Sequence, residues 1–211
     1  ILRNSIKRTF EKIKIQDLDV SSLPNVLNGK YTVVIDPGHG GSDPGAVGIN
    51  GLRETDIVLE VSKNVSELLI KKGVKTILTR KDERTLDLHP RVIKANNSKA
   101  DVFVSIHANA TRGKRKDVNG LETYYYSGSK GYSLAKNIHK QILITSSQSP
   151  DRGIKRSRFY VIRKSSMPAA LVEIGFVTGM YDAALLRQKA YRDKMSFAIA
   201  KGILNYLKVS N

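Results

Sequence analysis

The chain contains no cysteine. Disulfides, thiolate metal ligands and a cysteine nucleophile are therefore excluded. Tryptophan is also absent, and aromatic residues make up only 7% of the 211 residues, little material for a base-stacking platform. No apolar run approaches the ~18–20 residues a membrane-spanning helix needs, so no transmembrane segment is expected. Acidic residues are few beside basic ones, 19 against 36, which gives a formal net charge of +17. A field of that sign attracts polyanions: nucleic acid, anionic wall polymers or a membrane surface. The sequence has neither a G-x-x-x-x-G-K-[ST] phosphate cradle nor a G-x-G-x-x-G fingerprint, and no base-reading motif, so no specific nucleic-acid partner is expected. The basic residues are spread along the chain, with one dense run at Arg112–Lys116, RGKRK, which also reads as a solvated loop. The first residue is Ile1 rather than methionine, so the chain is expected to be a fragment or a processed form.

What is present suits one α/β domain. Hydrophobic residues are 40% of the chain, ordinary for a globular protein. Residues 1–29 read as a lead-in, with a short helix over Asn4–Lys14 and a linker rich in Ser, Pro and Gly. From Tyr31 the pattern alternates. Tyr31–Ile35 is a short β-branched strand, followed by a turn crowded with Pro37, Gly38, Gly40, Gly41, Pro44 and Gly45. Glu54–Lys72 repeats Ile57, Val61, Val65, Leu68 and Leu69 at helical spacing and closes on Gly73. Strands are expected at Val74–Thr79, Asp101–Ile106, Leu121–Tyr126, Phe159–Ile162 and Ala169–Val172. Helices are expected at Leu88–Ser98, with Pro90 in its first turn, at Tyr132–Thr145, and once or twice within Tyr181–Lys208. Strands alternating with helices of this length predict a largely parallel sheet covered on both faces. No internal repeat or low-complexity tract is visible.

In such sheets, sites gather outside the carboxyl ends of the strands. Three strands end in polar groups: His39 after Tyr31–Ile35, His107 after Asp101–Ile106, and Glu173 after Ala169–Val172. They are expected to converge on one rim, with Glu54 nearby at a helix start. Two imidazoles and a carboxylate make a common catalytic zinc set with one position left open. Each residue also has a structural reading. A strand-end histidine can be a hydrogen-bonded core residue, and Glu54 can favour the helix N-terminus through its dipole. Glu173 lies among apolar neighbours, so it is either a general base or half of a buried ion pair with an arginine such as Arg152 or Arg163. Asp36 either orients a ligand from behind or forms an Asx turn ahead of Pro37. His89 and His139 read as surface or structural.

The pieces VVIDPGHGGSDPGAVG, GLRETD, TRKDE, RVIKAN, VFVSIHANA, GLETYYY, DRGIK, FYVIR and MPAALVEIGFVTG follow one another in order. Together, from about Lys30 to Leu207, they resemble the zinc-dependent N-acetylmuramoyl-L-alanine amidase domain of bacterial autolysins, sporulation hydrolases and some phage lysins. The resemblance implies an α/β fold: a mostly parallel twisted sheet of about six strands flanked by helices, over residues 30–208. It implies one Zn2+ held by His39, Glu54 and His107, with Glu173 as the catalytic base. It implies hydrolysis of the amide between the lactyl group of N-acetylmuramic acid and L-alanine of the peptidoglycan stem peptide, by a secreted enzyme at the cell wall. Asn109 is a candidate substrate contact, and Arg80, Arg91 and Asn96 match family positions of mainly structural kind. The basic surface then suits anionic wall polymers, and the enzyme is expected to be a monomer. Two departures are Gly179, where relatives often have Asn, and His89, where they have a small polar residue. The segments Asn109–Tyr126 and Ser127–Asp151 are short, which predicts an uncovered groove rather than a plugged one. The competing readings are a non-catalytic wall-binding domain on the same fold, which would be expected to lack a ligand or the base, and a nucleic-acid-binding protein.

Overall fold

The β-branched segments assemble into one six-stranded sheet in the order β2-β1-β3-β6-β4-β5. The computed structural model describes residues 18–113 and 115–209. The strands are β1 (Thr32–Pro37), β2 (Lys75–Leu78), β3 (Val102–Asn109), β4 (Leu121–Tyr125), β5 (Asp151–Arg156) and β6 (Ala169–Phe176). β1, β2, β3 and β6 run parallel, whereas β4 is antiparallel to β6 and parallel to β5. The helices are α1 (Glu54–Lys71), α2 (Leu88–Asn97), α3 (Gly128–Thr145), α4 (Tyr160–Lys164), α5 (Met180–Leu186) and α6 (Lys189–Val209). This is the α/β, mostly parallel architecture that the alternation predicts, with helices on both faces.

The two faces are unequal. α1, α3 and α6 cover one of them with a large core that includes Val61, Val65, Leu134, Ile138, Ile199 and Ile203. On the other, α2 and α4 cover a smaller cluster of Val34, Val92, Phe103, Val161, Ile162 and Leu171. Central strands lie between two apolar layers, so β6 is buried at all eight positions. That explains why its sequence is a continuous apolar run rather than an alternating one.

One expectation is corrected. Phe159–Ile162 is not a strand: from Tyr160 it is the helical turn α4, and Val161 and Ile162 point into the smaller core. Its aromatic and β-branched composition favours a strand locally, but it has no place in the sheet, and its Ser165 hydroxyl donates to the Val161 carbonyl at the helix end. The strand that does occupy the sheet edge is β5, Asp-Arg-Gly-Ile-Lys-Arg. Its charged sequence hides it from a hydrophobicity reading and is the usual protection of an edge strand. Of residues 1–29, the Asn4–Lys14 helix lies outside the described residues. Within 18–29, Asp19 caps a 3-10 turn over Val20–Ser22, and Leu23 is buried in the large core.

Candidate metal centre

The loop after β1 is built to bring His39 back over the sheet. His39 has a left-handed backbone, φ 59°, rare for a residue with a side chain. Two buried arginines hold the loop by its carbonyl oxygens. Arg80 donates to Pro37 and Gly38, and Arg91 donates to Pro37 and His39. The glycines leave room for the ligands. A Cβ at Gly38 would lie 2.3–2.7 Å from three atoms of the His107 ring, and one at Gly45 would lie 2.8 Å from Glu54 Oε2 and from the His39 ring.

His39, Glu54 and His107 meet at the rim, with one candidate ligand atom from each within 4.8 Å of the others. Glu54 Oε1 lies 3.2 Å from His39 Nε2 and 3.0 Å from His107 Nδ1. The Glu54 carboxylate is fixed from behind by backbone donors, Ala46 N–H on Oε2 and Ala108 N–H on Oε1. The far side of each ring is also held. Asp43 Oδ2 sits 2.7 Å from His39 Nδ1, and Ser105 Oγ sits 3.1 Å from His107 Nε2. Two imidazole nitrogens and one carboxylate oxygen, each fixed by an outer partner, fit a divalent transition metal with a further position open. The rings remain accessible, with side chains 25% and 19% exposed for His39 and His107.

The electrostatics agree with a site built for a cation. Burial alone would raise the Glu54 pKa, but hydrogen bonds from His107 and His39 outweigh it and hold the carboxyl well below its usual range. Burial works against a charged His39, yet the Glu54 and Asp43 carboxylates prevail and raise its pKa.

Glu173 pairs with His107 across β3 and β6, so its side chain shares the face of the His107 ring. Its Oε2 is buried and has no hydrogen-bond partner among the described residues. Burial, then the charges of Glu54 and Glu122, push its pKa well above the ordinary carboxylate value. Of the arginines considered as ion-pair partners, Arg152 is bonded to Glu122 instead. Asp36 makes no Asx turn. It is 1% exposed and accepts from Thr79, Arg91 and Ser105. It thus stands behind His107 through the Ser105 hydroxyl.

Asn109 ends β3 at the same rim, with its side-chain amide donating to Glu122. Asn96 holds the loop after α4 through Ser166. His139 is buried between Thr123 and Asp151, and His89 touches the Tyr160 hydroxyl. At Gly179 a Cβ would clash with the Val118 carbonyl and with Asn119, whose side-chain oxygen accepts from Tyr181 and Asp182. Asp43, Ser105 and Glu122 were not singled out from the sequence. Ser105 had a signal, two residues before His107 and so on the same strand face. Between β3 and β4 the described residues form no helix that would cover the rim.

The family profile described as N-acetylmuramoyl-L-alanine amidase (Amidase_3) matches residues 33–205. The chain is 45% identical over 183 residues to the protein YqiI of Bacillus subtilis, covering 85% of this chain and 86% of that one. It is 40% identical over 191 residues to the N-acetylmuramoyl-L-alanine amidase LytC of the same organism, covering 89% of this chain but only 38% of LytC. Among solved structures, the N-acetylmuramoyl-L-alanine amidase AmiC2 of Nostoc punctiforme superposes with a TM-score of 0.82 at 47% identity. That alignment covers 86% of this chain and 99% of AmiC2.

Proposed function

The chain belongs to the N-acetylmuramoyl-L-alanine amidase family, and from that premise we propose that it is a zinc enzyme of the bacterial cell wall. Its reaction is hydrolysis of the amide joining the lactyl group of N-acetylmuramic acid to L-alanine of the stem peptide. The observation that carries this reading is the buried Glu173 Oε2, without a hydrogen-bond partner among the described residues, on the sheet face that carries His107 of the three candidate metal ligands.

His39 Nε2, Glu54 Oε1 and His107 Nδ1 are the atoms proposed to hold the ion. A bound zinc ion supplies Lewis acidity, which polarises a carbonyl and acidifies water. Asp43 holds His39 by Nδ1 and so directs Nε2 inward. Asp36, through Ser105, does the same for His107 from Nε2. Glu173 Oε2 takes the proton of the attacking water and delivers it to the departing alanine nitrogen. Burial raises its pKa above the ordinary carboxylate value, which favours its holding that proton between the two steps. Asn109, tied to Glu122, borders the same rim and is proposed to touch substrate. The net charge of +17 is proposed to draw the enzyme, secreted and monomeric, to anionic wall polymers.

The test is digestion of purified peptidoglycan, counting new L-alanine amino termini against new reducing sugar ends. Alanine termini alone are expected. They should vanish with a chelator, return with zinc, and fall at least a hundredfold in Glu173→Gln. A folded, zinc-loaded protein that releases no termini would return the reading to a wall-binding domain.

A further inference from the structure

The face that carries Glu173 continues into a charged cluster for which the amidase reading gives no role; the inference here rests on that reading. Glu122 of β4 stands directly opposite Glu173 in the antiparallel pair with β6, so both carboxylates rise on one face. Glu122 is 2% exposed. Its Oε1 accepts from Arg152 Nε at 2.5 Å and from Lys155 Nζ at 2.8 Å. Its Oε2 accepts from Asn109 Nδ2 at 3.1 Å and from the Tyr124 hydroxyl. Burial opposes the charge on Glu122, but these donors overcome it and lower its pKa, so the group is a carboxylate.

One carboxylate needs one cation. Here two converge on it, so these three side chains together carry one positive charge. Both cations reach the surface, with side chains 36% and 40% exposed for Arg152 and Lys155. Arg152 is set with unusual care for a half-exposed arginine. Its guanidinium lies over the buried Phe176 ring, 5.0 Å from the centroid. Its Nε edge is spent on Glu122, while no hydrogen bond joins its two Nη groups to the described residues. A planar fork fixed on one face and one edge is preorganised to take a carboxylate on the other edge.

We propose that Arg152 and Lys155, aligned by Glu122, bind the free α-carboxylate of the second residue of the substrate's peptide, two residues beyond the scissile amide. Reach supports this assignment. Strands are about 4.8 Å apart, so β4 and β5 lie about 5–10 Å from Glu173 across the sheet. An extended peptide covers about 3.3–3.6 Å per residue. The lactyl carboxyl is consumed in the scissile bond, so free carboxylates lie on the peptide side. Glu122 is the positioning residue in this scheme, and the two cations make the contact.

The experiment compares N-acetylmuramoyl-L-alanyl-D-glutamate with its α-carboxamide as soluble substrates. The wild-type enzyme, Arg152→Gln, Lys155→Gln and the double variant are measured for kcat and KM. The wild type is expected to prefer the carboxylate by about tenfold or more, mainly through KM. Each substitution should shrink that preference, and the double variant should bring the ratio near one. Arg152→Lys should restore only part of it. A wild type indifferent to the two substrates overturns the proposal. So does a preference that survives in the double variant while both substrates decline in step, because the cations would then serve only Glu122. A parallel calorimetric titration with L-alanyl-D-glutamate and its α-carboxamide reads the subsite without any cleavage. Charge-selective binding without turnover would count against the amidase reading while supporting the subsite. Turnover without charge selectivity would do the reverse. Circular dichroism of each variant identifies one that fails to fold, and Lys155→Gln then carries the test alone.

Discussion

At the scale of single residues, the site depends on groups behind the ligands as much as on the ligands. Gly38 is the sharpest case, because any side chain there enters the space of the His107 ring. Gly38→Ala is expected to leave the helical content intact but to lower zinc content at least tenfold after equilibration with a limiting chelator, read by elemental analysis. Asp36 and Arg91 form a buried pair, 1% and 3% exposed at the side chain, at 2.9 Å. Removing one member of a buried pair strands the other, at about 3–5 kcal/mol. Asp36→Ala should therefore show that loss in urea unfolding, together with weaker zinc retention, since Asp36 also bonds Ser105 behind His107.

At the scale of elements, α4 shows how tertiary context decides against local preference. Phe159-Tyr160-Val161-Ile162 has strand composition, yet burying Val161 and Ile162 against α2 settles it as a helical turn. Ile162 is 3% exposed, so Ile162→Ala should cost about 2–4 kcal/mol, measured by thermal or denaturant melts. The edge strand β5 is attached at its start by Asp151, whose hydrogen bond to His139 of α3 lowers its pKa. A lowered carboxyl pKa adds stability that is present above the unfolded value, about 3.9, and is lost as pH falls through the folded value. Asp151→Asn is thus expected to flatten the stability profile below about pH 4 and to leave that acid loss smaller than in the wild type, as read by melts across pH.

At the scale of the whole molecule, the unequal faces divide labour. The face with α1, α3 and α6 supplies most of the core, which frees the other face to carry a row of polar side chains from His107 through Glu173 to Glu122. The charge of +17 acts over the whole surface rather than at one contact. Retention on walls that carry anionic polymers should fall steeply between about 0.05 and 0.5 M salt, because the screening length shrinks from above 10 Å to below it. Turnover of a small muramoyl dipeptide should change far less over the same range. Equal salt dependence for both would place the charge effect at the catalytic cleft instead.

The sequence by itself determined the alternation of strands and helices, the glycine-crowded loop around His39, and the strand ends that bring His39, His107 and Glu173 to one rim. Those features are written in local periodicity and in turn residues, which need no knowledge of distant partners. Only the tertiary structure decided what each polar group is paired with. It gave Arg152 to Glu122 rather than to Glu173, gave Asp36 to Arg91, Thr79 and Ser105, and left Glu173 Oε2 without a partner among the described residues. It also chose β5 over Phe159–Ile162 for the sheet. Such choices depend on register and on which loops close over which face. A one-residue shift in register would turn Glu122 and Glu173 away from the site, and no local pattern in the chain encodes that alignment.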